Sequence, residues 1–274
     1  MSLLRINNNI SAINTQRNLN VNSFNLSKSL EKLSSGFRIN VAADGPADLI
    51  ISEGLRAQIG GIKAALRNSQ EASNLVGIAE GALKEVNDLL VSMRALAVHA
   101  SNRGVVTTAQ IAADQAELTN ANATITRIGT ATRFAGAAVF SAAARTLHIG
   151  EGATPATDEV SVTAMTVPVN PTTVALGADG STANNVIAAI DVAIAAISTQ
   201  RATLGAVQKN TLQTNINSLS VSLENITATE SYIRDANMAE ETSAYTKNQI
   251  LVQAGVSVLA QANVASQSVL ALLR

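Results

Sequence analysis

The chain has 274 residues and a formal net charge of −1; it is 47% apolar but only 2% aromatic, with no Trp and no Cys. Lack of cysteine excludes disulfides, thiolate metal sites and cysteine nucleophiles, and the lack of a basic surplus or of aromatic stacking platforms leaves nucleic-acid binding unsupported. An interior built from Ala, Val, Ile and Leu suits long helices packed side by side, and near-neutrality lets copies of the chain approach one another.

The first segment reads as helix. Leu19, Leu26, Leu30, Leu33 and Phe37 recur at heptad-like intervals, and Ile6, Ile10 and Ile13 begin a similar stripe; this spacing predicts an apolar seam. Ser34-Ser35-Gly36 predicts a break. Asp44-Gly45-Pro46 predicts another, with Pro46 at the first position of a new helix. That helix is long, with Ile62, Leu66, Ser69, Ser73, Val76, Leu83, Val86, Leu90, Met93 and Ala97 on one face. Asn102-Arg103-Gly104 turns the chain, and Thr107 or Thr108 caps a third helix carrying Ile111, Leu118, Ile125 and Ile128.

The centre changes character. It is rich in Gly, Thr, Val and Pro, and holds Pro155, Pro168 and Pro171. Val160, Val162 and Ala164 alternate with Ser161 and Thr163, which predicts strand and a hairpin or two rather than an inserted domain. Helical spacing returns in Ile187, Ile190, Ile194, Ile197, Leu204, Leu212, Ile216, Leu219, Leu223 and Ile226. A break follows between Ile233 and Asn237, where Asn237 with Glu240 three residues on makes a capping arrangement.

The last helix carries Leu251, Ala254, Val258, Ala262, Ala265, Val269 and Leu272 at three-four spacing, with a second row in Val252, Val256 and Leu259. Apolar over so much of its circumference, it must be buried on more than one side. Leaving Leu251, Val258, Leu259, Val269 and Leu272 in water would forfeit roughly 10 kcal/mol, comparable to a whole domain's stability. One N-terminal helix covers only part of that surface, so the rest is expected to be buried against other copies of the chain.

Residues that could carry chemistry are sparse. His99 and His148 lack a partner at metal-ligand spacing, and His99 near a helix end suits a surface or C-cap role. Gly60-Gly61 lacks the context of a phosphate loop and reads as a site of close approach or bending. Asp44 and Asp48 flank Pro46 as helix-initiating residues. The Asn-Xaa-Ser/Thr triplets at Asn9, Asn25, Asn122 and Asn225 fall on predicted helices. Arg94, Arg127 and Arg201 are expected to form interhelix pairs with acids such as Glu117. No catalytic, cofactor-binding or metal site is expected, and no cofactor. The first residues lack the apolar core and cleavage site of a secretory signal, and no run approaches the roughly 20 apolar residues of a membrane span. The expectation is a chain with no membrane insertion, exported, if at all, without a cleaved signal peptide.

Both ends resemble bacterial flagellin. The N-terminal match is Ile6-Asn7-Asn8-Asn9-Ile10-Ser11-Ala12-Ile13-Asn14, then Ser29-Leu30-Glu31-Lys32-Leu33-Ser34-Ser35-Gly36-Phe37-Arg38-Ile39-Asn40. It continues in Ala42-Ala43-Asp44-Gly45-Pro46-Ala47-Asp48-Leu49 and Met93-Arg94-Ala95-Leu96-Ala97-Val98. The C-terminal match is Gln200-Arg201-Ala202-Thr203-Leu204-Gly205, Glu230-Ser231-Tyr232-Ile233-Arg234-Asp235-Ala236-Asn237 and the final Ser266-Gln267-Ser268-Val269-Leu270-Ala271-Leu272-Leu273-Arg274.

The resemblance implies a mainly α fold: long antiparallel helices in a coiled-coil or bundle rod, a small β-hairpin region, and discontinuous pairing of the two ends. Residues 1–42 and 235–274 would form the inner-core domain D0. Residues 43–140 and 182–234 would form the two halves of D1, with 141–181 a short hairpin and loop segment in place of outer domains. The implied function is a non-enzymatic subunit that polymerises into the extracellular flagellar filament, the propeller for swimming. Implied partners are the chain itself, an export chaperone, the filament cap and hook–filament junction proteins, with export through the flagellar type III apparatus. The D0 assembly residues would be Ile6, Ile10, Ile13, Leu19, Leu26, Leu30, Leu33, Phe37, Leu251, Ala254, Val258, Leu259, Ala262, Val269 and Leu272.

The resemblance also implies a remnant of the surface by which flagellins engage Toll-like receptor 5. Glu117 and Leu96 match an acidic and an apolar contact of that surface. Ser92 stands where many flagellins have Arg, so weak or absent receptor activation is expected. Two rivals fare worse. A hook–filament junction protein would match less well around Arg201 and at the C-terminus. A membrane-active helical protein would need a Lys/Arg-rich face, and the last helix holds only Lys247 and Arg274.

Overall fold

The structure is a computed structural model. It describes residues 8–152, 154, 158–162, 165–167, 175–177 and 182–271, with side chains except for 265–271. Ile6, Leu272, Thr163, Ala164 and the Val269 side chain therefore lie outside the described residues, as do Pro155, Pro168 and Pro171. The chain divides into two compact units, 1–57 with 225–274, and 58–224.

Among the described residues, six α-helices carry the fold. Helix α1 (Ile10–Ser35) starts at Asn9, whose side chain accepts from the Ala12 N–H, and ends at Gly36 in the left-handed conformation; glycine takes that conformation without a Cβ penalty. Helix α2 (Pro46–Ser101) begins with the proline at its first position. Helix α3 (Thr108–Ala131) is opened by a capping box between Thr107 and Gln110. Strands β1 (Arg133–Phe134) and β2 (Ala137–Ala138) pair across Ala135 and Gly136, both at positive φ, as a two-residue hairpin turn requires.

Strands β3 (Arg145–His148) and β4 (Glu159–Val162) form a second antiparallel pair, with Arg145 opposite Val162 and His148 opposite Glu159. Helix α4 (Ala183–Ala206) passes through a π-helical segment, Val207–Gln213, into α5 (Thr214–Arg234). Helix α6 (Met238–Ala271) follows, with the Ala239 and Glu240 N–H groups donating to Asn237.

In the unit 58–224, α2 buries Ile62, Ala65, Ser69, Ala72, Val76, Ala79, Leu83, Val86, Leu90, Met93, Ala97 and Ala100. These steps alternate three and four residues without a break, the period that keeps one seam facing its neighbours. The sequence stripe differs slightly: Leu66 and Ser73 are only half-buried, and the small Ala65 and Ala72 hold the seam. Ile111, Leu118 and Ile125 of α3 and Val186, Ile190, Ile197 and Leu204 of α4 meet it in one core.

One expectation needs correction. Residues 183–234 are long and apolar enough to cross a membrane by length and composition, with a window of mean hydropathy 1.3. That value reflects the Ala, Ile and Val content of α4, whose Val186, Ile190, Ile197 and Leu204 turn into the bundle core.

Candidate functional site

The unit 1–57 with 225–274 holds the residues expected to drive assembly. Helices α1 and α6 run antiparallel. Asn9 Nδ2 donates to the Ala262 carbonyl at 3.0 Å near one end, and Lys32 meets Glu241 at 3.9 Å near the other. Between them Leu19 packs onto Gly255; a Cβ there would stand 3.2 Å from Leu19 Cδ1.

The covered residues trace two heptad seams. On α1 they are Ala12, Thr15, Leu19, Asn22, Leu26, Ser29 and Leu33; on α6 they are Glu241, Tyr245, Asn248, Val252, Gly255, Leu259 and Ala262. Both alternate steps of three and four, as knobs-into-holes packing demands. Yet more than half of these side chains are small or polar. The apolar rows of the sequence point to Leu19, Leu26, Leu33, Val252, Leu259 and Ala262, but not to Thr15, Asn22, Ser29, Asn248 or Gly255. The signal for them was the three-four spacing itself, without hydrophobicity.

Beside Leu19, Leu26, Leu33, Val252 and Leu259 on the seam, more of the larger apolar side chains point outward. Ile10, Ile13, Val21, Phe24 and Leu30 of α1 are exposed, Ile13 and Phe24 each at 62%. So are Ile250, Leu251, Val256, Val258 and Val264 of α6, with Val258 at 54%, and also Ala254 and Phe37. Leu30 and Phe37 therefore leave the seam that their spacing suggested. Leu251, Ala254 and Val258 likewise stand beside the row that contacts α1.

Next to the paired helices, the two linkers clasp each other. Phe37 and Asp235 form an isolated antiparallel bridge, with Arg38 N–H on Arg234 O at 2.7 Å and Ala236 N–H on Gly36 O at 2.9 Å. Arg38 Nη2 donates to Ile233 O at 2.6 Å and meets Asp48 at 3.1 Å. Arg234 meets Glu53 at 2.8 Å, and its guanidinium lies 4.9 Å from the centre of the Phe37 ring, a cation–π geometry.

Asp44 anchors the start of α2. It accepts from the Asn40 and Val41 N–H groups and pairs with Lys28. The Lys28 hydrogen bond, then that of Val41, lowers its pKa to about 2. Glu53 is held below the ordinary carboxylate range, first by Arg234 and then by Arg56.

In the unit 58–224 the arginine pairs form with other acids than expected. Arg94 meets Asp191 at 2.6 Å and Arg201 meets Glu80 at 3.6 Å, while Glu117 stays exposed. The Arg94 contact depresses the Asp191 pKa and raises that of Arg94. His99 is paired after all: its Nδ1 lies 2.7 Å from Asp114 Oδ2 across α2 and α3. Ser92 is exposed, but its hydroxyl donates back to Asp88 O at 3.2 Å. Leu96 is half-buried against the core. Gly61 is a close-approach site, with Glu151 O 3.4 Å from where a Cβ would lie. Among the described residues, no group of three His, Asp or Glu is placed to hold a metal ion.

Residues 6–145 match the bacterial flagellin N-terminal helical region and residues 187–273 the bacterial flagellin C-terminal helical region. The chain belongs to the bacterial flagellin family. The Bacillus subtilis (strain 168) flagellin is 40% identical over 310 residues, covering 99% of this chain and 100% of that one. The flagellar filament 33 kDa core protein of Treponema phagedenis is 38% identical over 286 residues, covering 98% and 99%. A crystal structure of Bacillus cereus flagellin aligns with 56% of this chain and 88% of that one, at 25% identity and a TM-score of 0.49. As a family member the chain is a structural subunit that self-assembles into the extracellular flagellar filament, the organ of motility, and is not an enzyme.

Proposed function

We propose that copies of this chain join through the outward faces of α1 and α6, the inner-core helices of the filament. One observation carries this: the seam inside the subunit uses the poorer face of each helix, and the richer faces are left exposed. Large apolar side chains left in solvent along both helices mark an interaction site. The proposed contacts are Ile10, Ile13, Phe24 and Leu30 with Leu251, Ala254 and Val258. Leu19, Leu26, Leu33, Leu259 and Ala262 hold the two helices as a pair. Export through the flagellar apparatus and binding to a chaperone, the filament cap and junction proteins complete the reading, on the strength of family membership.

The test is polymerisation of purified protein after adding a precipitant salt, followed by electron microscopy and pelleting. Wild type is expected to form filaments. Burying Phe24 or Val258 is worth about 1.5–3 kcal/mol, and each 1.4 kcal/mol is tenfold in an equilibrium constant. Phe24→Asp and Val258→Asp should therefore each raise the critical concentration about tenfold or more. An unchanged critical concentration in both variants would overturn the reading.

We also propose that Ser92 leaves Toll-like receptor 5 activation weak, with Leu96 and Glu117 as the remnant of that surface. Support comes from the Ser92 hydroxyl being spent on its own helix. In a reporter-cell assay, Ser92→Arg should raise the response. A wild-type response already at full strength refutes the idea.

A further inference from the structure

The helix running from 183 to 234 carries one residue more than its core seam needs. Along α4 the buried positions step by three, four, seven and seven, from Ala183 to Val186, Ile190, Ile197 and Leu204. The next buried position is Leu212, eight residues on. In an α-helix, eight residues would leave Leu212 about 80° off the seam, since each residue turns about 100°. The π segment absorbs the excess, because its hydrogen bonds span five residues rather than four. The Thr214 hydroxyl, 3.5 Å from Lys209 O five residues back, follows the same wide turn.

Two amides at this level make polar contacts across the bundle. Asn215 Nδ2 donates to Ser69 Oγ at 3.1 Å and to Ile149 O at 2.9 Å. Ser69 is fully buried on α2, and Ile149 directly follows β3. Gln208 Nε2 reaches Ser73 Oγ at 3.5 Å. One amide thus ties the end of the π segment to α2 and to the base of the β3–β4 hairpin. The seam after Leu212 continues in half-buried Ile216, Leu219 and Leu223, with no fully buried residue in α5. Few apolar contacts therefore hold the register beyond the segment, and the Asn215 bonds carry that task.

We propose that residues 207–213 and Asn215 form a register latch. Seating of the β3–β4 hairpin on α2 and storage of the extra helical residue are two sides of one two-state element. Asn68 Nδ2 also donates to the hairpin base, to His148 O at 3.1 Å; when Asn215 leaves Ile149 O and Ser69, the base keeps only that bond and the π turn loses its anchor at the same time.

Amide hydrogen exchange on the full-length monomer tests this. Asn215→Ala is expected to accelerate exchange about tenfold or more in both 145–149 and 207–213. Deleting Asn210 removes the stored residue and returns the spacing from Leu204 to Leu212 to seven. That chain should fold and protect the shortened segment better than wild type. Asn215→Ala placed on it should then accelerate the hairpin alone. Faster exchange confined to the hairpin in the wild-type background overturns the coupling. Loss of helical signal on deleting Asn210, to the extent caused by deleting Ala196 within α4, overturns the stored-residue reading. If Asn215→Ala does not fold, Gln208→Ala takes its place, with both segments expected to speed up together and an effect on one alone counting against the latch.

Discussion

Asp44 shows how much one side chain settles. Its carboxylate takes two backbone N–H groups of the linker and the Lys28 ammonium, and its side chain is 7% exposed. Hydrogen bonds to a charged group stabilise more than neutral ones. Its folded pKa of about 2 lies below the ordinary aspartate value of 3.8. A depressed carboxylate contributes stability that is fully present above the unfolded value and lost as pH falls through the folded one. Asp44→Asn should therefore lower stability by roughly 1–3 kcal/mol at neutral pH. The gap from wild type should shrink between about pH 4 and pH 2. Thermal melts of both chains across that range check it, and a gap that stays constant with pH contradicts the depressed pKa.

At the scale of elements, the pairing of α1 with α6 depends on where small residues fall. Gly255 admits Leu19, and any larger residue there meets it. Gly255→Leu would drive the helices apart along a seam that has few large apolar layers to compensate. Its expected outcome is rapid proteolysis and fast amide exchange in α1 and α6, with the unit 58–224 still protected by its own core. Exchange in α1 matching wild type would show that Leu19 finds another seat. The clasp between residues 36–38 and 233–236 belongs to the same scale. No helical periodicity announces it, because it is made of backbone bonds and arginine contacts between segments about 200 residues apart.

For the whole molecule, the distribution of apolar surface decides the behaviour. A monomer that hides its large side chains gains little from neighbours. Between α1 and α6 this chain hides Leu19, Leu26, Leu33, Val252 and Leu259 among small and polar side chains, and it shows Ile13, Phe24, Ile250 and Val258 to solvent. Its near-zero net charge adds little repulsion between copies. The unit 58–224 follows the opposite rule, with an unbroken apolar seam turned inward. Under the proposed reading, the first unit keeps its apolar surface for other copies of the chain.

Local rules sufficed for the helices and their ends. Gly36, Pro46, Thr107 and Asn237 act through backbone geometry within a turn of their own position, so they were legible in the sequence. The apolar excess of the terminal helices was legible too, because hydrophobic surface is a property of composition. Which face would pair was not: Asn22, Ser29 and Gly255 sit on the seam because two helices approach there, and single-helix periodicity favours the apolar row beside it. The π segment was visible only as an eight-residue gap between Leu204 and Leu212, and its meaning came from Asn215 meeting Ser69 and Ile149. Partners of Arg94, Arg201 and His99 likewise depended on which helices lie side by side. Sequence alone determined where helices form and that apolar surface is left over; the tertiary structure decided which surface, because packing chooses among faces by shape as well as by hydrophobicity.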